Sequence, residues 1–229
     1  PGTLYNPLFI YSGVGLGKTH LLHAIGHKVA SSGKTLIYVT TEEFTNQYIK
    51  AIRDGKTEEF RNHYRNADVL LLDDLQFIIG KEQTQEGFFH TFNALHMASK
   101  QIVVTSDKPS ADLTLLESRI QSRLSGGLVV DIQPPDIETR LAILKAKTAS
   151  SPQLFPEDVL QFIANRVHSN VRELEGCFTR LAAYSDLVAS PITLDLAKRA
   201  IQNVQRPESK RRFTDTAVLD TVSSYFSVD

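Results

Sequence analysis

A glycine-rich segment ending in lysine and threonine is the first feature of the sequence that could carry out chemistry. It runs from Ser12 to Thr19, SGVGLGKT, between an apolar stretch and a segment with helical periodicity. Backbone N–H groups of such a turn, together with a helix N-terminus, converge on phosphate oxygens. The pattern predicts that Lys18 contacts the β- and γ-phosphates of a nucleotide and that the Thr19 hydroxyl ligates Mg²⁺.

The glycines of this segment, Gly13, Gly15 and Gly17, let the backbone approach a phosphate without a Cβ atom in the way. The usual phosphate-loop pattern begins with glycine, whereas this chain has Ser12 at that position. The position mainly has to leave the strand, so serine fits it if its φ is negative. An ordinary glycine-rich turn is the alternative, but the order of strand, glycines, Gly-Lys-Thr and helix favours a nucleotide site.

Acidic residues end two further apolar segments. After VLLLDD, Asp73 is placed to hold Mg²⁺ directly or through water, and Asp74 to polarise an attacking water. Two solvated aspartates at a strand end are the alternative. Thr105, Ser106 and Asp107 end a later strand, and in such a sheet one of them would lie beside the nucleotide and sense its γ-phosphate.

Three arginines are candidates for phosphate contacts. Arg119 and Arg123 are four residues apart and share a helix face. They form either a solvated basic stripe or an arginine finger for a neighbouring subunit's phosphate. Asn170 is suited to cap a helix with Arg172 in its first turn, where a cation opposes the helix dipole. A nearby phosphate would explain Arg172, and a surface pair with glutamate is the alternative.

Histidines also share one predicted helix face, at His20, His23 and His27. That spacing could suggest a metal site. No cysteine or other ligand set completes it, and His20 directly follows the phosphate loop. We therefore expect no metal site there.

The elements that must position these residues follow an alternating pattern. Apolar strands alternate with helices up to LVVDI, which predicts an α/β fold with a five-stranded parallel sheet. The pattern then becomes helical only, after a proline pair that begins at Pro134. We expect a nucleotide-binding core over residues 1–133, an all-helical domain over 134–204, and a linker with the start of a truncated helical segment over 205–229. One predicted helix of the core runs from Asp112 to Leu124.

Composition limits the class of protein. The chain has 229 residues, 41% hydrophobic and 22% charged, which is typical of a soluble globular protein. No apolar run approaches the roughly 18 residues of a membrane span, and the single cysteine, Cys177, indicates a reducing cytoplasm. A net charge of −1 argues against strong non-specific duplex binding. Met97 is the only methionine, so we expect a fragment of a longer protein.

Six segments together resemble the DnaA family of bacterial chromosomal replication initiators, which are AAA+ ATPases. They span nearly the whole chain: YNPLFIYSGVGLGKTHLLHAIG, LLLDDLQFIIGKEQTQEGFFHTFNAL, IVVTSDKPS, LESRIQSRLSGGL, PPDIETRLAIL and SNVRELEG. The resemblance implies a P-loop AAA+ core followed by a helical lid. It implies Asp107 as first sensor, Arg172 as second sensor on the lid, Arg123 as a finger acting in trans, and Arg119 in support of that interface.

The resemblance also implies contacts with DNA. The helix TEEFTNQYIKAI and the next one match the family's initiator-specific insertion, and Ile49, Lys81 and Thr84 are similar to residues that touch single-stranded DNA. Gln83 stands where the family usually has arginine. The family's segment before Pro1, which helps enclose adenine, and its duplex-reading helix-turn-helix after Asp229 lie outside this sequence.

The resulting hypothesis is an ATP-dependent switch that assembles into a helical filament and remodels origin DNA, with slow hydrolysis to ADP resetting the state. Single-stranded DNA would bind this domain, and a replicative helicase or regulatory proteins are possible partners. A regulatory adaptor or helicase loader of the same superfamily is the alternative. A phosphotransferase acting on a small molecule is a third candidate function. It would need a pocket for a second substrate, and it would need neither a lid nor an arginine acting in trans.

Overall fold

The computed structural model describes residues 5–201 and contains one parallel sheet of five strands. The order across the sheet is β2-β3-β4-β1-β5. The strands are β1 Leu8–Tyr11, β2 Leu36–Thr40, β3 Val69–Asp73, β4 Gln101–Ser106 and β5 Leu128–Asp131. This sheet and the helices around it confirm the predicted α/β fold. Among the described residues no helix is long and apolar enough to cross a membrane.

Helices connect the strands and then continue without them. In chain order they are α1 Lys18–Ala30, α2 Thr41–Arg53, α3 Thr57–Arg65, α4 Glu82–Met97, α5 Ser118–Ser125, α6 Ile137–Thr148, α7 Glu157–Arg166, α8 Val171–Leu187 and α9 Leu194–Ile201. Short 3₁₀ turns cover Leu75–Ile78 and Ser110–Asp112.

Both faces of the sheet are buried at β3, which explains why this strand is apolar up to its final aspartate. Successive side chains of a strand point to opposite faces. Accordingly, Leu70 and Leu72 belong to one core cluster with α2, α3 and α4, while Val69 and Leu71 belong to a second cluster with α1. All five side chains of β3 are buried, including Asp73 at its end.

The predicted helix Asp112–Leu124 is wrong in its first half, because α5 begins only at Ser118. One side chain of α5 and one of α4 bind the backbone of the preceding loop. Gln121 donates to the carbonyl oxygens of Leu113 and Leu116, each at 3.1 Å. Gln85 donates to the carbonyl of Leu115 at 3.0 Å and accepts from the Glu117 amide at 2.8 Å. These contacts satisfy the loop's polar groups without a helix.

The described residues form two compact units. The first comprises residues 5–140 and 167–173 and contains the sheet. The second comprises residues 141–166 and 174–201, and its regular structure is helical. The division falls within α6, later than the predicted boundary near Pro134, and gives the start of α8 to the first unit. The predicted linker and last helix, residues 205–229, lie outside the described residues.

Candidate nucleotide site

The glycine-rich loop lies between β1 and α1, as the sequence predicted. Gly15 and Gly17 have left-handed φ angles of 76° and 96°, which glycine adopts without strain. Gly13 and Ser12 are not among the residues with positive φ. Ser12 is buried, and its hydroxyl donates to the carbonyl oxygen of Gly13 at 2.9 Å. Serine is therefore accommodated where the usual pattern has glycine.

Lys18 lies across this loop. Its Nζ donates to the carbonyl oxygens of Ser12 at 2.9 Å and Gly13 at 3.1 Å, and it is 3.3 Å from the Ser12 hydroxyl. Only 8% of the residue is exposed, and burial lowers the pKa of its ammonium group.

Three carboxylates lie within electrostatic range of that ammonium group. Asp74, Asp107 and Asp73, in decreasing order of effect, raise the pKa of Lys18 against the effect of burial, and Arg172 lowers it. Charges act on a pKa in this way only at short range. The structure therefore brings Asp73, Asp74, Asp107 and Arg172 within electrostatic range of Lys18.

The N-terminus of α1 is suited to an anion. Its N-cap is Gly17, which has no side chain to bind the first N–H groups, and the first turn contains no acidic residue. By contrast, the Thr40 side chain caps α2 by accepting from the Glu43 amide. Space is open around Gly17, where a Cβ atom would meet nothing within 4 Å. The N-terminal N–H groups and the helix dipole together favour negative charge at this position.

Asp73 at the end of β3 is held by two hydroxyl groups. Thr105 donates a short hydrogen bond to its Oδ1, and Tyr38 donates to its Oδ2 at 3.3 Å. Burial, followed by the charge of Asp73, raises the pKa of Tyr38 to about 12. Sequence reasoning missed Tyr38, because nothing in the pattern of β2 distinguishes it from the other strand residues.

Asp74 has an unusual backbone conformation. Its φ of 61° and ψ of 58° lie in the left-handed region, which is rare for a residue with a Cβ atom. Its amide donates to the Thr105 hydroxyl at 2.9 Å, and its Oδ1 accepts from Nε2 of Gln76 at 3.0 Å. The Thr105 hydroxyl therefore contacts both aspartates: it donates to the Asp73 carboxylate and accepts from the Asp74 amide.

Asp107 follows β4 and is half-buried. Its amide donates to Oε1 of Gln76 at 3.2 Å. Its Oδ1 is buried and has no hydrogen-bond partner among residues 5–201. Burying a carboxylate oxygen without a partner is costly, so a donor or a cation bound there would stabilise the site. Ser106, the third candidate in this segment, accepts through its hydroxyl from the Lys108 amide at 3.3 Å.

The start of α8 contacts the loop directly. The amides of Val171 and Arg172 donate to the Gly15 carbonyl at 3.0 and 3.2 Å. Asn170 caps this helix, as predicted, by accepting from the Glu173 amide at 2.8 Å. A Cβ atom on Gly15 would lie 2.8 Å from Oδ1 of Asn170, so no larger residue fits there.

The two arginines of α5 differ. Arg119 pairs with Glu117 and lies over the Phe89 ring, 4.3 Å from its centroid. Arg123 is exposed and makes no ion pair within residues 5–201. Arg119 is therefore fixed within its own chain, whereas the guanidinium of Arg123 is available to a partner.

Two of the three residues assigned to single-stranded DNA are exposed. Ile49 on α2 is 41% exposed, and Lys81 before α4 is also exposed. Thr84 is only 2% exposed, which leaves its side chain little surface to offer, while its neighbour Gln83 is exposed. Sequence reasoning did not foresee the burial of Thr84.

The residues present fit a magnesium nucleotide. The uncapped helix start and Lys18 suit phosphate oxygens. The exposed Thr19 hydroxyl and the Asp73 carboxylate offer the oxygen ligands that Mg²⁺ prefers. The unpartnered oxygen of Asp107 provides a further acceptor beside them.

Comparison with known proteins indicates the family. A profile of the bacterial DnaA ATPase domain matches residues 1–131. The chromosomal replication initiator protein DnaA of Chloroflexus aggregans is 52% identical over 231 aligned positions, which cover 100% of this chain and 48% of that protein. The chain thus spans about half the length of the curated relatives it matches.

Solved structures show the same similarity. Domain III of the Thermotoga maritima replication initiation protein DnaA is 41% identical with a TM-score of 0.85, covering 90% of this chain and 87% of that one. A replication initiator DnaA bound to AMPPCP and single-stranded DNA is 36% identical with a TM-score of 0.73, covering 100% of this chain and 66% of that one.

Proposed function

The chain belongs to the bacterial DnaA ATPase-domain family, and from this premise we propose that it is an ATP-dependent switch in the initiation of chromosome replication. In this proposal it binds ATP and ADP with Mg²⁺ in the cytoplasm, assembles with other copies in the ATP state, and acts on origin DNA. Slow hydrolysis of ATP to ADP resets the assembly.

The observation that carries this proposal is the position of Lys18. Its buried ammonium group spans the loop carbonyls of Ser12 and Gly13 and lies within electrostatic range of Asp73, Asp74 and Asp107. A compact cation between a glycine-rich loop and acidic strand ends matches the requirement for binding the β- and γ-phosphates of a nucleotide.

Individual residues take the following roles in the proposal. Gly13, Gly15 and Gly17 bring backbone N–H groups to the phosphates. The Thr19 hydroxyl and Asp73 hold Mg²⁺, which when bound neutralises developing charge on the phosphate oxygens. Asp74 orients and polarises the attacking water.

In the proposal, the two sensor residues and the arginine finger complete the site. Asp107 contacts the γ-phosphate region as the first sensor, and Arg172 contacts phosphate as the second. The exposed guanidinium of Arg123 reaches the γ-phosphate of a neighbouring copy, with Arg119 supporting the interface through its contacts with Glu117 and Phe89.

A strand of DNA is proposed to contact α2 and the start of α4. Ile49 and Lys81 offer exposed apolar and cationic surface there, whereas Thr84 would take part mainly through its backbone because its side chain is buried. Duplex origin DNA and a helicase or regulatory protein are proposed partners of the longer protein.

Calorimetry of ATP binding to Lys18→Ala tests the proposal. Loss of a charge-assisted hydrogen bond of about 1.5–3 kcal/mol predicts an ATP affinity at least about tenfold weaker. Lys28→Ala is the matched control, because Lys28 is an exposed lysine in the last turn of the same helix. Equal affinities for the parent chain and the Lys18 variant would refute the nucleotide site.

A further inference from the structure

One side chain outside the recognised motifs links the ends of two strands. Gln76, in the 3₁₀ turn after β3, donates from Nε2 to Oδ1 of Asp74 at 3.0 Å. Its Oε1 accepts from the Asp107 amide at 3.2 Å. A single carboxamide therefore bridges the two acidic positions that end β3 and β4.

The polarity of these partners fixes the orientation of the carboxamide. An amide N–H can only donate, so it requires Oε1, and an ionised carboxylate can only accept, so it requires Nε2. Glutamate in place of Gln76 would keep an oxygen to accept from the Asp107 amide, but its negative charge would repel the Asp74 carboxylate. Alanine would remove both contacts.

Asp74 adopts a left-handed backbone conformation, and two hydrogen bonds hold its main chain. The Thr105 hydroxyl binds its amide, and the Phe77 amide donates to its carbonyl at 3.1 Å. Neither contact restrains the side chain. Besides its electrostatic interaction with Lys18, the Asp74 carboxylate is held among residues 5–201 by the hydrogen bond from Gln76.

We propose that Gln76 is a positioning residue for ATP hydrolysis. Its side chain holds the Asp74 carboxylate at a fixed position relative to the main chain of Asp107. The inference rests on the proposed function, since it assigns Asp74 to the attacking water. It adds a direct connection between that carboxylate and the first sensor. A displacement of the Asp107 backbone would move the Asp74 carboxylate through one side chain.

Two variants separate the two halves of the bridge, Gln76→Ala and Gln76→Glu. Both are expected to bind ATP as the parent does, because the hydrogen bonds of the Gln76 side chain go to Asp74 and Asp107 and not to the phosphate loop or Lys18. Both are expected to hydrolyse ATP about tenfold to a hundredfold more slowly in single turnover, as for a misplaced catalytic group. A loss of rate at unchanged affinity is not the result of general destabilisation.

Hydrogen exchange of the Asp107 amide, measured without nucleotide, gives a readout independent of activity. Exchange should become faster in Gln76→Ala, which loses the acceptor, and should stay near the parent rate in Gln76→Glu, which keeps it. Gln47 of α2 provides the matched control, because its side chain also donates to a carboxylate and accepts a second hydrogen bond. It donates to Glu43 at 3.1 Å and accepts from the hydroxyl of Tyr64, in α3, at 2.7 Å. Gln47→Glu should change neither hydrolysis nor Asp107 exchange.

The outcomes distinguish this inference from the proposed function. Parent-like hydrolysis in both Gln76 variants, beside an active parent chain, would overturn the positioning role alone. Unchanged Asp107 exchange in Gln76→Ala would overturn the bridge itself. A parent chain that binds ATP but never hydrolyses it would overturn the hydrolytic step of the proposed function and the positioning role together. If Gln76→Ala fails to fold, Gln76→Glu, which has nearly the same shape, still decides the hydrolytic test.

Discussion

Asp68 is a charged residue whose role is to hold the sheet rather than to contact a ligand. Lys100 donates to its Oδ1 at 2.6 Å, and the amide and hydroxyl of Thr35 donate to its Oδ2 at 3.0 and 2.8 Å. These bonds lower the pKa of Asp68 well below its usual range, with the bond from Lys100 as the largest cause. One carboxylate thus joins the segments that lead into β2, β3 and β4.

Asp68→Asn should lower the melting temperature at pH 7. A depressed folded-state pKa contributes stability that is fully present above the unfolded pKa of about 3.9 and is lost as pH falls through the folded value. The difference between parent and variant should therefore shrink as the pH falls below about 4. Thermal unfolding between neutral and acidic pH measures it.

Asp54→Asn is the control for this prediction. Asp54 ends α2 with an exposed carboxylate that forms no ion pair within the described part of the chain. Its substitution should leave the pH dependence close to that of the parent. A constant difference between parent and Asp68→Asn at every pH would show that the carboxylate's charge does not stabilise the sheet.

Single residues of the candidate site differ in how far sequence alone could predict them. Lys18, Asp73 and Asp74 were predictable because each lies in a short pattern whose spacing a phosphate site requires. Tyr38 and Gln76 were not, because their roles depend on hydrogen bonds to residues 31 or more positions away in sequence, Asp73 and Asp107. The burial of Thr84 is likewise a product of packing around α4.

Helix α4 packs closely against α2 through a glycine. A Cβ atom built on Gly87 would lie 2.5 Å from the Tyr48 ring, closer than real Cβ contacts allow. Tyr48 is buried, and its ring packs at a tilt of 55° against that of Phe60 with the centroids 5.3 Å apart, so the ring has little room to move. Gly87 therefore fixes the distance between the two helices.

Gly87→Ala should destabilise the chain by about 1–3 kcal/mol through overpacking. The matched control is Gly176→Ala in α8, where a Cβ atom would meet nothing within 4 Å. That change should stabilise the chain by about 0.5–1 kcal/mol, because alanine has a higher helix propensity than glycine in a helix interior. Denaturant unfolding of both variants measures the sign of each change in the free energy of unfolding. Stabilisation by both would mean that the Tyr48 ring moves freely.

The elements themselves were predictable where periodicity is local, as for the apolar strand β3. The segment before α5 was not, because the side chain of Gln85 binds its backbone at Leu115 and Glu117, in addition to the backbone hydrogen bonds within the segment and the two bonds from Gln121. Gln85 is 1% exposed and belongs to a different helix. Only the tertiary structure brings it to this loop, so no pattern within residues 112–124 could reveal the late start of α5.

The parallel sheet is what gathers the site from distant parts of the chain. All paired strands are parallel, so their carboxyl ends lie at one edge, and β4 lies between β1 and β3. That order sets the phosphate loop beside Asp107 and Asp107 beside Asp73 and Asp74. Five parallel strands were predicted from the alternation of strands and helices. Their order across the sheet was not, because alternation carries no information on which strands pair.

Assembly of several copies depends on Arg123 in the proposed function. Arg119, one turn away, is already bound to Glu117 and Phe89, whereas the exposed guanidinium of Arg123 has no ion pair within residues 5–201. Lys18 already contacts the loop of its own site. Lys18 and Arg172 are already assigned to the site of their own chain, so a further arginine for the γ-phosphate is expected to come from a neighbouring copy.

Arg123→Ala should separate ATP binding from assembly. A charge-assisted contact at a partly desolvated interface is worth about 2–5 kcal/mol, enough to decide whether copies associate. The variant should bind ATP like the parent by calorimetry, yet sediment as a monomer with ATP and single-stranded DNA, where the parent assembles. Because ADP lacks the γ-phosphate, the parent should also remain monomeric with ADP. Arg61→Ala, which removes an arginine paired with Glu58 on α3, should assemble normally. Weaker ATP binding by isolated monomers of Arg123→Ala would instead place this arginine in its own site and contradict the trans contact.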